Sequence, residues 1–157
     1  MGERIEREIG FFNRVAGHTY DTVYDLLFTT ERVIALIVQH PLDMPVNLSV
    51  VGIFLGGRLG VRDERSARIK LAEERRRFYE ENGIDELANY HRFNFQIPYN
   101  EITSIELIRG LLKARVKFHI SGPTRGERKI QFTFPKRRVP EVLDLLEKTI
   151  PSRLIKK

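Results

Sequence analysis

Lys113-Ala114-Arg115-Val116-Lys117-Phe118-His119-Ile120-Ser121 decides the fold class. Ala114, Val116, Phe118 and Ile120 alternate without a break with Lys113, Arg115, Lys117 and His119. A period of two is the mark of a strand with one buried face and one wet face. A Ser-Gly-Pro-Thr-Arg-Gly turn leads into Arg128–Phe134, where Ile130, Phe132 and Phe134 share a face. The two runs predict an antiparallel hairpin, with Phe118 expected near Phe132 and Ile120 near Ile130. Upstream, Ile97-Pro-Tyr-Asn-Glu-Ile-Thr-Ser-Ile-Glu-Leu107 reads as a turn followed by a strand. Downstream, Val139, Val142, Leu143, Leu146 and Ile150 form the stripe of an amphipathic helix, with Pro140 in its first turn and Pro151 as its stop. Each stripe residue, once buried, contributes roughly 1.5–3 kcal/mol, enough to dock a helix too short to persist alone.

Toward the N-terminus, Tyr20–Phe28 and Arg32–Val38 predict a second hairpin around the Thr29-Thr30-Glu31 corner. Its second strand is apolar on both faces, which predicts cover on both sides. Residues 40–94 then read as an insertion. Its Met44–Gly57 stretch holds no charge, and Gly52, Gly56 and Gly60 punctuate this region. The stretch is shorter than the roughly 20 residues of a membrane-crossing helix. A buried segment, a subunit contact or a membrane-surface contact through Leu48, Val50, Val51, Ile53, Phe54 and Leu55 is expected instead. Val61–Glu81 predicts a long charged helix with Asn82-Gly83 as its stop. Glutamates flank Arg75-Arg76-Arg77, so this triplet is read as a solvated, ion-paired helix face. A short helix is expected at Ile84–Tyr90. Residues 3–16 carry Ile5, Ile9, Phe12 and Ala16 at steps of four, three and four, which predicts an N-terminal amphipathic helix.

The chain has 157 residues, 27 Lys+Arg against 21 Asp+Glu, a net charge of +6 and no cysteine. That length suits a single domain, here 1–157, with enough core to fold without a staple. The lack of cysteine excludes disulfide scaffolds, thiol catalysis and cysteine-based metal sites. The charged N-terminus does not read as a signal peptide, so a cytoplasmic protein is expected. His18, His40, His91 and His119 have no metal-ligand spacing, and no nucleophile elbow, phosphate loop or dinucleotide fingerprint occurs. Asp21 and Asp25 would stand about 13 Å apart along a strand, too far for paired acid–base work, and are read as its wet edge. The expectation is a non-enzymatic protein without cofactor or metal.

Charge is unevenly distributed. Residues 109–157 hold 14 Lys+Arg and 4 Asp+Glu, whereas residues 1–108 hold 13 and 17. Lys113, Arg115, Lys117 and Lys129 belong to one sheet face, with Lys136, Arg137 and Arg138 at its end. This is a candidate surface for an anion or a partner. Three readings compete: a solvated sheet face whose lysines discourage edge pairing, a contact with another copy, and a phosphate-bearing partner. Within the last, an anionic lipid surface is preferred to nucleic acid, because the outward face offers no aromatic stacking platform. Duplex backbone binding through the basic C-terminal part is the alternative function.

Leu26-Leu-Phe-Thr-Thr-Glu-Arg-Val-Ile34 and Ile97-Pro-Tyr-Asn-Glu-Ile-Thr-Ser-Ile-Glu-Leu107 resemble two segments of the bacterial and archaeal pleckstrin-homology-like (PH-like), GRAM-related domains. The likeness covers about 20–38 and 95–150. It implies an α+β fold: a strongly bent antiparallel sheet forming a partly open barrel, capped by the C-terminal helix. It also implies a binding or scaffold module, a homo-oligomer or protein partner, and structural roles for Thr29, Arg32, Ile97, Pro98, Tyr99 and Ile102. The corner at Thr29–Arg32 lacks the basic cluster with which eukaryotic PH domains grip inositol phosphates. Peripheral attachment to the inner face of a membrane is the corresponding localisation.

Overall fold

The computed structural model describes residues 5–17, 22–43, 58–122 and 126–156. The chain is α+β, and the described residues form a large bent, open eight-stranded sheet and three α-helices. In chain order these are β1 (Glu8–Ala16), β2 (Val23–Thr29), β3 (Arg32–Gln39), α1 (Arg58–Glu81), α2 (Ile84–Asn89), β4 (Phe95–Pro98), β5 (Ile102–Arg109), β6 (Lys113–Gly122), β7 (Gly126–Pro135), α3 (Val139–Thr149) and β8 (Leu154–Lys156). The sheet order is β4-β3-β2-β1-β7-β6-β5-β8. Its pairs are antiparallel except β5 with β8. The meander β1–β4 meets the meander β5–β7 through one residue pair, Ala16 with Thr133.

The sheet curls far enough for its inner face to form one core. Leu26, Phe28, Val33 and Ile97 from one meander meet Ile105, Val116, Phe118, Phe132 and Phe134 from the other. Helix α3 fills the concavity with Val139, Val142, Leu145 and Leu146. Gly10 faces that helix: a Cβ there would stand 2.8 Å from Leu145 Cδ2, so a larger residue would require the leucine side chain to shift. The Arg153 guanidinium donates to the Tyr99 carbonyl, linking the turn before β8 to the turn after β4.

A second, smaller core lies on the outer face of the first meander. Leu27, Ile34, Leu36 and Val38 are covered there by Tyr79 of α1 and Leu87 of α2. This is the double cover expected from the apolar β3. Strand β4 pairs with β3 only as far as Ala35, so the next backbone groups of β3 need other partners. Asn94 Oδ1 accepts from Ile37 N–H at 2.8 Å, the Tyr79 hydroxyl donates to the Ile37 carbonyl, and Arg75 Nη1 donates to the Val38 carbonyl at 3.1 Å.

The structure corrects several expectations. Residues 8–16 of the expected N-terminal helix form β1, not a helix. Two register shifts, at Glu8/Gly10 and Phe12/Val15, spread its apolar residues to helix-like spacing. Phe118 stands opposite Ile130, Val116 opposite Phe132, and Ile120 opposite Arg128. The expected register was displaced by two, which leaves every side chain on its face and so escapes the alternation test. Phe118 and Phe132 still meet edge-on at 6.2 Å. Ile97 lies within strand β4 rather than a turn. In α3, Leu145 is buried where Leu143 was expected to be, with Leu143 packing at the margin. Arg75 is buried by its role at the end of β3 and Arg76 is half-buried against Asp25, so of the arginine triplet only Arg77 lies on the solvated face.

Candidate functional site

The corner between β2 and β3 is built as scaffold. Thr29 Oγ1 accepts from the backbone N–H of Glu31 and of Arg32, at 3.1 and 3.0 Å, and donates to Glu6 Oε1 at 2.6 Å. Arg32 forks onto the same carboxylate, Nε to Oε1 at 2.9 Å and Nη2 to Oε2 at 2.8 Å. Burial alone would raise the Glu6 pKa, but the hydrogen bonds from Arg32 and Thr29 and the Arg32 charge outweigh it and hold the carboxyl below its ordinary value. The Tyr99 hydroxyl donates to the Thr29 carbonyl at 2.6 Å, tying β4 to the same corner. Every polar group of this cluster is turned to another part of the fold, as the structural reading of Thr29, Arg32 and Tyr99 requires.

The outer face of β5–β7 differs from that of the first meander: among the described residues, no helix packs over it. Lys113, Arg115 and Lys129 are exposed and Lys117 is half-buried. Lys129 pairs across the ladder with His119, whose Nε2 lies 3.2 Å from Glu106 Oε2. Lys136 and Arg137 are exposed on the turn after β7. Arg138 does not join them. Its guanidinium lies over the Phe12 ring at 4.3 Å, pairs with Glu141 at 3.1 Å and donates to the Asn13 carbonyl, fastening the start of α3 to β1. Leu48, Val50, Val51, Ile53, Phe54 and Leu55 lie outside the described residues, as do Asp21 and Arg125.

The β5–β6 hairpin carries a feature the sequence reading passed over. Gly110 N–H donates to the Lys113 carbonyl at 2.9 Å, closing a tight corner whose two central residues are leucines. A Cβ on Gly110 would meet that carbonyl oxygen at 2.7 Å. Leu111 and Leu112 are thereby held outward, 88% and 80% exposed. The Lys136 N–H donates to the Leu112 carbonyl at 3.0 Å, which places the Lys136–Arg137 turn beside the tip. Arg109 and Lys113 flank it on the chain and are exposed too. The available signal was two leucines at a corner where polar turn residues are the rule.

A cleft of about 710 Å³ opens where the two meanders part. Ala16 and Thr133, the single joining pair, belong to its wall. Helix α1 overhangs one side with Arg65, Arg68, Ile69 and Glu73, while Lys113 and Phe134 approach from the other. Arg14 enters from β1 with φ of 56°. This left-handed residue sits in the second register shift, where Asn13 and Arg14 together oppose Asp25, and Arg14 N–H donates to Asp25 Oδ1 at 2.9 Å. Asp25 is buried, not on a wet edge, and its other oxygen lies 3.4 Å from Arg76 Nε. Burial pushes its carboxyl above the ordinary value, with Arg14 and Arg76 offsetting part of the rise.

Among the described residues no group of three or more His, Cys, Asp or Glu is placed to hold a metal ion, and no helix is long and apolar enough to cross a membrane. No protein-family model, curated protein or solved structure matches this chain.

Proposed function

We propose that this chain is a non-enzymatic, PH-like binding module that attaches peripherally to an anionic membrane surface at the inner face of the membrane. The PH-like part of the reading draws support from a four-strand meander followed by a three-strand meander and a terminal helix in the concavity. The membrane part rests on one observation: Leu111 and Leu112 project from a closed hairpin corner within a ring of Arg109, Lys113, Lys136 and Arg137.

Apolar tips and basic rims act together at a bilayer interface. The leucines leave water for the acyl boundary, while each basic group near an anionic surface adds about 1 kcal/mol. Neither contribution is sufficient alone, which makes the attachment reversible and dependent on lipid charge. The leucines keep most of their surface in water, and an apolar pair at a hairpin corner supports contact with an external apolar phase.

Co-sedimentation with vesicles of phosphatidylcholine, with and without phosphatidylserine, tests the reading. Binding should need the anionic lipid, fall with salt, and drop sharply in Leu111→Ser/Leu112→Ser. Equal binding to neutral vesicles, or an unchanged double variant, would overturn it. A wild-type dimer that becomes monomeric in the double variant, with no lipid binding in either, would assign the tip to a subunit contact instead.

A further inference from the structure

We propose that the cleft between α1 and the parting of the two meanders is a binding site for a phosphate ester with an apolar body. The site borders the leucine tip and shares Lys113 with its basic surround, but its apolar lining and its other cations do not depend on the membrane reading. Its volume of about 710 Å³ lies in the range of small-molecule sites. Its apolar lining includes Val38, Ile69 and Phe134. Ile69 is 53% exposed on the α1 side of this hollow, so the cleft presents apolar surface to solvent.

The lining carries five cations, Arg14 of β1, Arg65, Arg68 and Arg76 of α1 and Lys113 of β6, against one carboxylate, Glu73 of α1. A carboxylate is planar and suits one guanidinium fork, whereas a phosphate monoester offers three peripheral oxygens to donors arriving from several directions. Cations on separate elements around one opening therefore favour the phosphate. Arg14 supplies a second, independent observation. A non-glycine residue in the left-handed region costs stability, and such strain persists where the surrounding fold imposes it, often at ligand sites. The bulge keeps Phe12 and Val15 both in the inner core while sending Arg14 outward to the cleft.

Such an ester has two sources, a soluble metabolite or the headgroup of a lipid, and the probes separate them. Calorimetric titration would use 1-naphthyl phosphate, dioctanoyl phosphatidate below its micellar concentration, and inorganic phosphate. At least one ester should bind ten-fold or more tightly than inorganic phosphate. Naphthyl phosphate binding assigns a soluble ester, and binding of phosphatidate alone assigns a lipid. Ile69→Ser should erase that margin without altering inorganic phosphate binding. Arg65→Glu should weaken every probe ten-fold or more, whereas Lys129→Glu, an equal charge change on the open face, should leave them within two-fold. Leu111→Ser/Leu112→Ser should retain this binding even if it abolishes vesicle binding, so the two proposals fail separately. Esters no tighter than inorganic phosphate, or Arg65→Glu indistinguishable from Lys129→Glu, would overturn the site.

Discussion

Replacing Arg32 with methionine keeps the aliphatic stem and removes the fork that holds Glu6. Arg32 and Glu6 retain 18% and 16% side-chain exposure, between a surface pair and a fully buried one. Exposed pairs contribute about 0–1 kcal/mol, and breaking a fully buried pair costs about 3–5 kcal/mol. Two short, charge-assisted contacts at intermediate burial place the loss at about 2–3 kcal/mol, a fall in Tm of about 5–10 °C for a chain of this size. The effect has a pH signature. The folded Glu6 pKa lies below its ordinary value of 4.5, so the stabilisation is present above the unfolded value and is lost as pH falls through the folded one. The deficit of Arg32→Met should thus be largest at pH 7 and shrink as pH falls below 4.5 and through the lowered folded value, where the wild-type carboxylate takes up its proton. Thermal unfolding by circular dichroism at pH 7 and pH 3.5 measures this, and Glu6→Gln/Arg32→Met should recover part of the loss. Because the corner is scaffold, the folded variant should keep wild-type vesicle binding. A Tm change below about 2 °C at pH 7, or an equal deficit at both pH values, would refute the assignment.

Two further outcomes follow from the geometry. Arg14→Gly relieves the left-handed strain but gains chain entropy when unfolded, for a net stabilisation of about 0.5–1 kcal/mol; Tm should rise while phosphate-ester affinity falls, and a lower Tm would contradict the strain. Leu146→Ala and Leu87→Ala should each cost about 2–5 kcal/mol in urea unfolding, and their double variant should be additive within about 0.5 kcal/mol, because the two leucines belong to cores on opposite faces of the sheet.

What the sequence made legible was whatever period and composition can carry. The alternation of β6 put Ala114, Val116, Phe118 and Ile120 inside, and the two-faced apolarity of β3 announced a cover that proved to be α1 and α2. Strand β1 failed for a definite reason. Its two extra residues move Phe12 and Val15 onto one face at a spacing of three, and a window of that length cannot distinguish a doubly bulged strand from a helix. Arg75 was misjudged because the need it meets, an unpaired carbonyl on β3, arises from the shortness of β4, far away in the chain. The basic residues after β7 divided likewise: Lys136 and Arg137 stay at the surface, while Arg138, next to them, is drawn inward by Phe12 and Glu141.

The two helices α1 and α2 set the two halves of the sheet apart. They lie on the outer face of the first meander and turn that half into a double-faced core. Among the described residues the second meander has no such cover, and its outer face keeps Lys113, Arg115 and Lys129 in the open. In the strand ladder the two halves share the pair Ala16 and Thr133, so the edge of the cover falls where the sheet pairing is thinnest, and the cleft opens there. Lys113 stands at that border, next in sequence to Leu112 and in the wall of the cleft. A partner docked on the leucine tip would therefore bring its charge close to the cleft mouth, and a ligand in the cleft would reach Lys113 from the other side. Occupancy of the two sites should be coupled through that one ammonium group, negatively if both compete for its charge.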